Sequence, residues 1–216
     1  MVVTVDGPAG VGKSTVARAV AAALGVPYLD TGAFYRAVAL AAVRAGVDAG
    51  DPAAVLEVAT GADLDFAGGD MLLDGEVVSE AIRAPEVAAF ASAVSALPEV
   101  RRVVVERQRA WVARRGGGAV VEGRDIGTVV FPDAPVKVYL TADAAERARR
   151  RAADPEARGQ PVDAIERQLR ARDHADSTRE ASPLRPADDA VTIDTSALSV
   201  DEVVSIVLAL AAEAGE

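Results

Sequence analysis

Short apolar runs alternate with helical periodicity along most of this chain. The run Val2–Val5 is short and apolar, which predicts a buried strand. A glycine-rich segment follows, and apolar residues then recur at helical spacing over residues 13–24, where Gly25 ends the pattern. The β-branched segments Ala119–Glu122 and Val136–Leu140 predict two further buried strands. This alternation predicts an α/β fold, in which a parallel sheet is wrapped by helices on both faces.

The remaining periodic segments extend the same pattern toward the end of the chain. Further helices are predicted over 32–45, 52–61, 98–114, 144–152 and 162–172, a last strand over 191–194, and a final helix after a capping box that begins at Ser199. Ligands of such sheets bind beyond the carboxyl ends of the strands. Gly7, Glu122 and Thr141 are predicted to lie at that edge.

The stretch from 62 to 96 has a different texture. Three short strand candidates, Leu64–Phe66, Met71–Leu73 and Val77–Val78, are separated by Gly-Gly-Asp and Asp-Gly turns that are typical of hairpins. A helix is predicted to follow Pro85. We therefore predict one domain over 1–216, with a core over 1–61 and 97–216 and a small antiparallel insert over 62–96.

Composition excludes several classes of protein. The chain has 216 residues, of which 50% are hydrophobic and 26% charged, as in packed globular domains. It has no cysteine, which excludes disulfides, zinc-thiolate sites and thiol nucleophiles. The sequence opens without a signal-like segment, and no apolar run approaches the ~18 residues of a membrane span. We expect a cytoplasmic protein without a membrane partner.

The charge distribution favours a small anionic ligand. The net charge of −10 would repel nucleic acid, so a nucleic-acid partner is not expected. The acidic residues are concentrated between Gly46 and Glu99, a stretch that contains eleven acidic residues and one arginine. Arginines are in excess between Val100 and Arg185. Because the guanidinium fork suits phosphate oxygens, this excess predicts a site for a small phosphorylated molecule.

The segment Gly7–Ser14 reads G-x-x-x-x-G-K-S and lies between a predicted strand and a predicted helix. Its glycines let backbone N–H groups turn inward around phosphates, and the helix N-terminus adds partial positive charge. Lys13 is expected to reach the β- and γ-phosphates, and the Ser14 hydroxyl to bind Mg²⁺. The residues predicted to bind ATP are Gly7, Pro8, Ala9, Gly10, Val11, Gly12, Lys13, Ser14 and Thr15.

A regulatory GTPase and a small-molecule kinase both use this loop. GTPases of that type read guanine with N-K-x-D, and this chain contains no asparagine. The nominal D-x-x-G at Asp65–Gly68 lies in the predicted hairpin insert rather than after a buried core strand. A kinase needs a second anion site for its acceptor, and Arg36, Arg124 and Arg179 are candidates at predicted loop ends. The kinase is therefore the favoured interpretation.

The sequence resembles the bacterial cytidylate kinases from Val2 to about Ala211. The most specific resemblance is E-G-R-D-I-G-T-V-V-F-P, which begins at Glu122. The other matching stretches are Asp6–Thr15, Asp30–Arg36, Val100–Trp111, Asp133–Leu140 and Arg172–Pro183. The resemblance implies a phosphate-loop kinase fold with a nucleotide-binding insert and a short lid over about 150–162. It implies transfer of the γ-phosphoryl group of ATP to CMP, and to dCMP, by a monomer.

The resemblance also implies roles for individual residues. Lys13, Arg124, Arg150 and Arg158 would act in catalysis, the last two from the lid. The residues that would bind CMP are Thr31, Arg36, Ser92, Arg101, Arg124, Asp125, Asp176 and Arg179. Cytosine presents an amino donor where uracil presents a carbonyl, so the Asp176 carboxylate would favour CMP over UMP. A kinase for UMP or another nucleoside monophosphate remains the alternative, and Ser95 remains an alternative to Ser92.

Two positions depart from the family pattern, and one is expected to be neutral. Glu122 stands where aspartate is common, and would hold Mg²⁺ through water with a longer side chain. Thr31 replaces the usual serine and keeps its hydroxyl. Asp173, three residues before Asp176, is expected to be a surface charge whose replacement has little effect.

Overall fold

The computed structural model describes residues 1–154, 157 and 159–215. The strands are β1 (Val2–Asp6), β2 (Tyr28–Asp30), β3 (Leu64–Ala67), β4 (Asp70–Leu73), β5 (Glu76–Val77), β6 (Ala119–Gly123), β7 (Val136–Thr141) and β8 (Val191–Asp194). The helices are α1 (Lys13–Leu24), α2 (Thr31–Arg44), α3 (Pro52–Gly61), α4 (Pro85–Val94), α5 (Pro98–Arg114), α6 (Ala144–Ala152), α7 (Val162–Thr178) and α8 (Val200–Glu213). A 3-10 turn lies at Ala81–Arg83 and a π-helical turn at Ile126–Val130.

The main sheet has five strands in the order β2-β6-β1-β7-β8. The central strand β1 pairs in parallel with β6 on one side and with β7 on the other. Asp6, its last residue, lies level with Gly123 of β6 and Tyr139 of β7. The predicted α/β fold is confirmed. The register brings the segments that follow β1, β6 and β7 to one edge of the sheet, where ligands of such folds bind.

The chain divides into two compact units, 1–28 with 117–216 and 29–116. In the first unit, α1 and α8 pack on the sheet through a core of valines, alanines, Leu140 and Ile193. Val5 of β1, Val20 of α1 and Val207 of α8 are fully buried in it. Each such side chain contributes roughly 1.5–3 kcal/mol by leaving water. This core fixes the direction in which β1 runs into the loop before α1.

The second unit contains the three-stranded antiparallel sheet β3-β4-β5 and helices α2 to α5. The predicted strands of the stretch 62–96 are present within it, with Phe66 opposite Met71. Trp111 of α5 is buried, and its indole N–H donates to the Phe66 carbonyl at 2.8 Å. The two rings meet edge to face with centroids 6.3 Å apart. This contact ties α5 to the small sheet.

Helix α7 extends beyond its predicted end. The sequence pattern ends it at Arg172, whereas the helix continues to Thr178. Apart from Ala175, the added residues are poor helix formers by intrinsic propensity. Asp173 and Asp176, however, make contacts with other elements of the first unit that hold this last stretch in place.

Among the helices of the described residues, none combines the length and the apolar character that a membrane span requires.

Candidate nucleotide site

The segment Gly7–Ser14, called the phosphate loop below, connects β1 to α1 in the first unit. Gly7, Gly10 and Gly12 have positive φ angles of 147°, 80° and 92°. A β-carbon at Gly7 would lie 2.3 Å from the Leu140 carbonyl oxygen, so only glycine lets the loop leave β1 this close to β7. The loop ends at the first turn of α1, where unpaired backbone N–H groups are available to an anion.

Lys13 begins α1 and folds back over the phosphate loop. Its side chain is buried, and Nζ donates to the Pro8 carbonyl at 2.7 Å. Burial, helped by the nearby Arg124 guanidinium, lowers the pKa of Lys13 to about 7, and Glu122 and Asp6 oppose this shift. Burial therefore disfavours the ammonium more than these two carboxylates favour it, and the positive charge is incompletely balanced. Phosphate groups in the loop would supply further negative charge.

Asp6 holds two segments of the site together, and the sequence reasoning did not single it out. Its two carboxylate oxygens accept the backbone N–H groups of Ile126 at 2.8 Å and Gly127 at 2.7 Å. Burial raises the pKa of Asp6 to about 6, although these two hydrogen bonds lower it. The carboxylate thus attaches the end of β1 to the π-helical turn after Asp125. An acid at the end of an otherwise apolar strand was the available signal.

Four of the predicted binding residues form one buried ionic network, called the acceptor network below. Arg124 Nε donates to Asp176 Oδ2 at 2.9 Å, and Arg124 Nη1 donates to the Gly7 carbonyl at 3.1 Å. Arg179 lies 3.7 Å from Asp125 and 3.9 Å from Asp176. The side chains are between 6% and 19% exposed, so removal of one member would cost about 3–5 kcal/mol. Asp176 is therefore not a helix-surface charge.

Thr31 and Arg101, two of the predicted residues in the second unit, each contact other residues of that unit. Thr31 begins α2, and its carbonyl accepts from the buried Gln108 amide at 3.3 Å. Arg101 is buried, lies 5.3 Å from the centre of the Tyr35 ring, and donates to the Ser95 carbonyl at 3.2 Å. Gln108 was missed because a single glutamine in a helix gives no sequence signal.

Arg36 and the two candidate serines are described by their positions. Arg36 is half-buried in the second turn of α2, and Ser92 is exposed on α4. Ser95 caps the C-terminus of α4, and its hydroxyl donates to the Ser92 carbonyl at 3.0 Å. Arg101 therefore contacts the backbone of Ser95, the residue that ends α4.

The comparisons with known proteins agree with this geometry. The family model described as Cytidylate kinase matches residues 3–213. The chain belongs to the cytidylate kinase family. It is 50% identical over 99% of its length to "Cytidylate kinase" of Rhodococcus opacus (strain B4), of which it covers 95%, and 51% identical over the same shares to that of Rhodococcus jostii (strain RHA1). A solved structure of an uncharacterized protein from Eubacterium ventriosum ATCC 27560 has a TM-score of 0.54 at 11% identity, over 99% of this chain and 98% of that one. That likeness shows the fold alone.

Membership of the family calls for a test of the donors for Mg²⁺. Glu122 ends β6, is buried, and accepts a hydrogen bond from the Tyr28 hydroxyl. Its negative charge also raises the pKa of Lys13, against the larger effect of burial. Ser14 is the second residue of α1 and is half-buried. A hydroxyl and a carboxylate are hard oxygen donors, and Mg²⁺ keeps several of its waters, so these residues fit the ion.

Of the two arginines predicted to act from the lid, only Arg150 is among the described residues. Arg150 lies at the end of α6 and donates to the side chain and the carbonyl of Thr195 at 2.9 and 2.6 Å. It also pairs with Glu146 at 2.9 Å. Arg158 lies outside the described residues. The contacts of Arg150 attach it to the segment after β8.

Asp173 is not the neutral surface position that the sequence predicts. Its carboxylate accepts from the Ala9 N–H at 3.4 Å and pairs with Arg147 of α6. The side chain is 20% exposed. The helical periodicity of 162–172 hid this residue, because the contact depends on the last turns of α7.

Proposed function

We propose that the protein transfers the γ-phosphoryl group of ATP to CMP, and to dCMP, and so yields ADP and CDP or dCDP. The observation that carries the proposal is the position of Arg124. Its guanidinium contacts the phosphate loop at Gly7 and the acceptor network at Asp176 at once. A guanidinium that contacts both places suits a reaction in which a phosphoryl group passes between two bound phosphorylated substrates. The family match over residues 3–213 supports CMP as the acceptor.

The transfer itself makes modest demands on covalent chemistry. A phosphate oxygen of CMP forms a bond to the γ-phosphorus, and the bond from that phosphorus to ADP breaks. Catalysis therefore consists of positioning and of neutralising charge on the transferred oxygens. Lys13 supplies one positive charge from the phosphate loop, and Arg124 supplies another from the acceptor network. Arg150 and Arg158 remain predicted contributors from the lid.

The proposed metal is Mg²⁺, held by Ser14 and, through water, by Glu122. When bound with ATP, the ion would neutralise charge on the β- and γ-phosphates. The Tyr28 hydroxyl orients the Glu122 carboxylate toward a fixed geometry. Because Lys13 and Glu122 lie within each other's field, they would hold opposite charges around the phosphates.

Recognition of the base is assigned to Asp176. A carboxylate has about four acceptor sites, so Asp176 can accept from Arg124 and from the cytosine amino group together. Asp125 and Arg179 would bind the sugar and phosphate of CMP from the same unit. The roles of Thr31, Arg36, Ser92 and Arg101, which belong to the second unit, are supported by the family resemblance. The insert over 62–96, the lid over 150–162, the monomeric state and the cytoplasmic location remain predictions.

The experiment is an acceptor panel in a coupled assay of ADP release, with ATP and Mg²⁺ and each of CMP, dCMP, UMP, AMP and GMP. The proposal expects the highest kcat/KM for CMP and dCMP. Equal rates with UMP would replace it with a broader pyrimidine kinase. Slow turnover of GTP without any acceptor would instead indicate a GTPase.

A further inference from the structure

Ala9, at the tip of the phosphate loop, is held by three contacts within the first unit. The Ala9 N–H donates to Asp173 Oδ1 at 3.4 Å, and the Ala9 carbonyl accepts from Arg147 Nη1 at 3.2 Å. The Ala9 side chain packs against a small core formed between α6 and α7, which includes Ala148 and Leu169. The peptide groups around Ala9 are thus fixed by side chains that do not belong to the loop.

The two gripping side chains are themselves paired. Arg147 and Asp173 form an ion pair, with side chains 9% and 20% exposed. A pair this buried is held by its hydrogen bonds, and here two of those bonds end on the same loop residue. Arg147 also approaches the loop directly, because a β-carbon on Gly10 would lie 3.1 Å from the Arg147 β-carbon. The pair therefore bears on the shape of the loop as well as on the packing of α6 against α7.

Helix α7 reaches the phosphate loop a second time, one turn later. Asp176 pairs with Arg124, which donates to the Gly7 carbonyl. Residues three apart lie on one face of a helix, so Asp173 and Asp176 face the loop together. One helix face thus holds the start of the loop through Arg124 and the tip of the loop directly.

We propose that Asp173 and Arg147 form a clasp that holds the tip of the phosphate loop in its ATP-binding conformation, so that both are positioning residues for phosphoryl transfer. The inference rests on the proposed use of this loop for ATP. A loop that already has its bound conformation loses less conformational entropy when ATP binds, so its affinity for ATP is higher. Nothing in the clasp needs to touch the reacting atoms.

A simple charge effect predicts the opposite result. The Asp173 carboxylate lies close to the loop that would hold the phosphates, so Coulomb repulsion alone would weaken ATP binding in the wild type. If charge dominated, loss of the carboxylate would tighten ATP binding. If the clasp dominates, the same loss loosens it. The sign of the change therefore distinguishes the two effects.

The experiment compares the wild type with Asp173→Asn and Asp173→Ala, by titration with a fluorescent N-methylanthraniloyl ATP without acceptor. The clasp predicts a Kd for this probe about 10-fold higher in Asp173→Ala, as expected for loss of a charge-assisted hydrogen bond. In Asp173→Asn the rise should be smaller but in the same direction, because the amide oxygen can still accept from the Ala9 N–H but carries no charge to pair with Arg147. The KM for ATP should rise in parallel, and the KM for CMP should change less than about two-fold. Hydrogen exchange over residues 7–13 of the unliganded protein should become faster.

The matched control is Asp163→Asn on the same helix. Asp163 pairs with Arg167 at 2.8 Å, but both side chains are at least 70% exposed. This variant should bind the probe like the wild type. If Asp173→Ala does not fold, the isosteric Asp173→Asn decides the question, and Arg147→Lys provides a second variant on the other side of the pair.

Two outcomes would overturn the clasp. One is an unchanged or lower Kd for the probe in the Asp173 variants. The other is a fall in thermal stability without any change in probe affinity or in exchange over residues 7–13, which would make the pair a link between helices only. Because the titration needs no acceptor, it stands even if CMP is not phosphorylated, and a failure of the proposed function is visible separately in the acceptor panel.

Discussion

Replacing Lys13 by methionine should abolish turnover and yet stabilise the unliganded protein. Turnover should fall by at least ~10³, because the ammonium neutralises charge on the transferred phosphoryl group. Stability should rise, because burial lowers the pKa of Lys13 from 10.5 to about 7 and the charged form is therefore unfavourable in the folded state. Methionine fills a similar volume without that charge.

The magnitude follows from the shift in pKa. A displacement from 10.5 to about 7 corresponds to about 4–5 kcal/mol against the charged folded state at pH 7. The hydrogen bond from Lys13 to the Pro8 carbonyl, which offsets about 1.5–3 kcal/mol of this, is lost in the variant. A net gain of about 2 kcal/mol remains. For a chain of this length, that raises Tm by roughly 4–8 °C.

The sign of the pH dependence is fixed by the direction of the shift. A depressed pKa carries no penalty above pH 10.5, where lysine is neutral in both states. The penalty grows as the pH falls from 10.5 toward 7 and is constant below that. Urea denaturation of wild type and Lys13→Met between pH 6 and 10 should show a gap that closes as the pH rises. A variant less stable than the wild type at pH 7, or a gap independent of pH, would refute the reasoning.

Three further predictions concern Asp176, Asp6 and Gly7. Asp176→Ala should lower kcat/KM for CMP by about 10- to 150-fold and that for UMP much less, with Asp163→Ala as the control in steady-state assays; an unchanged CMP-to-UMP ratio would place base recognition elsewhere. Burial raises the pKa of Asp6 to about 6, so the contribution of this carboxyl to stability is full below pH 3.8 and is lost as the pH rises through 6. Denaturation of Asp6→Asn should accordingly show a change of about 3 kcal/mol, in favour of the variant, between pH 4 and 7; parallel pH profiles would contradict this. Gly7→Ala should cost at least ~3 kcal/mol of unfolding free energy, since its β-carbon would lie 2.3 Å from a backbone carbonyl oxygen of β7, whereas Gly25→Ala, with open space around it, should cost about 1; equal losses would show that only the positive φ matters.

The fold and the phosphate loop were predictable because their signals are local. The glycine spacing of Gly7–Ser14 and the apolar run before it both describe one strand-loop-helix unit. The ends of β8 and α5 follow from turn and helix-stop residues that lie beside them in the sequence. The predicted CMP-binding roles of Arg124 and Asp176 depended on the family resemblance, since the sequence alone makes Asp176 a surface carboxylate.

The missed residues depend on contacts between distant segments. Asp173 contacts Ala9, 164 positions away, and Asp6 contacts Ile126, 120 positions away. No periodicity in either segment records such a pair. The contacts of Asp173 and Asp176 explain why α7 continues past Arg172 although most of its last residues have low helix propensity. Tertiary burial, rather than local pattern, decides these positions.

The most direct test of the account is the stoichiometry of products formed from ATP and CMP, followed by ³¹P nuclear magnetic resonance. The account predicts that CDP and ADP appear in equal amounts, that inorganic phosphate does not accumulate, and that omission of CMP stops the consumption of ATP. Release of inorganic phosphate at the same rate with and without CMP would contradict it, because the γ-phosphoryl group would then pass to water and not to the nucleotide.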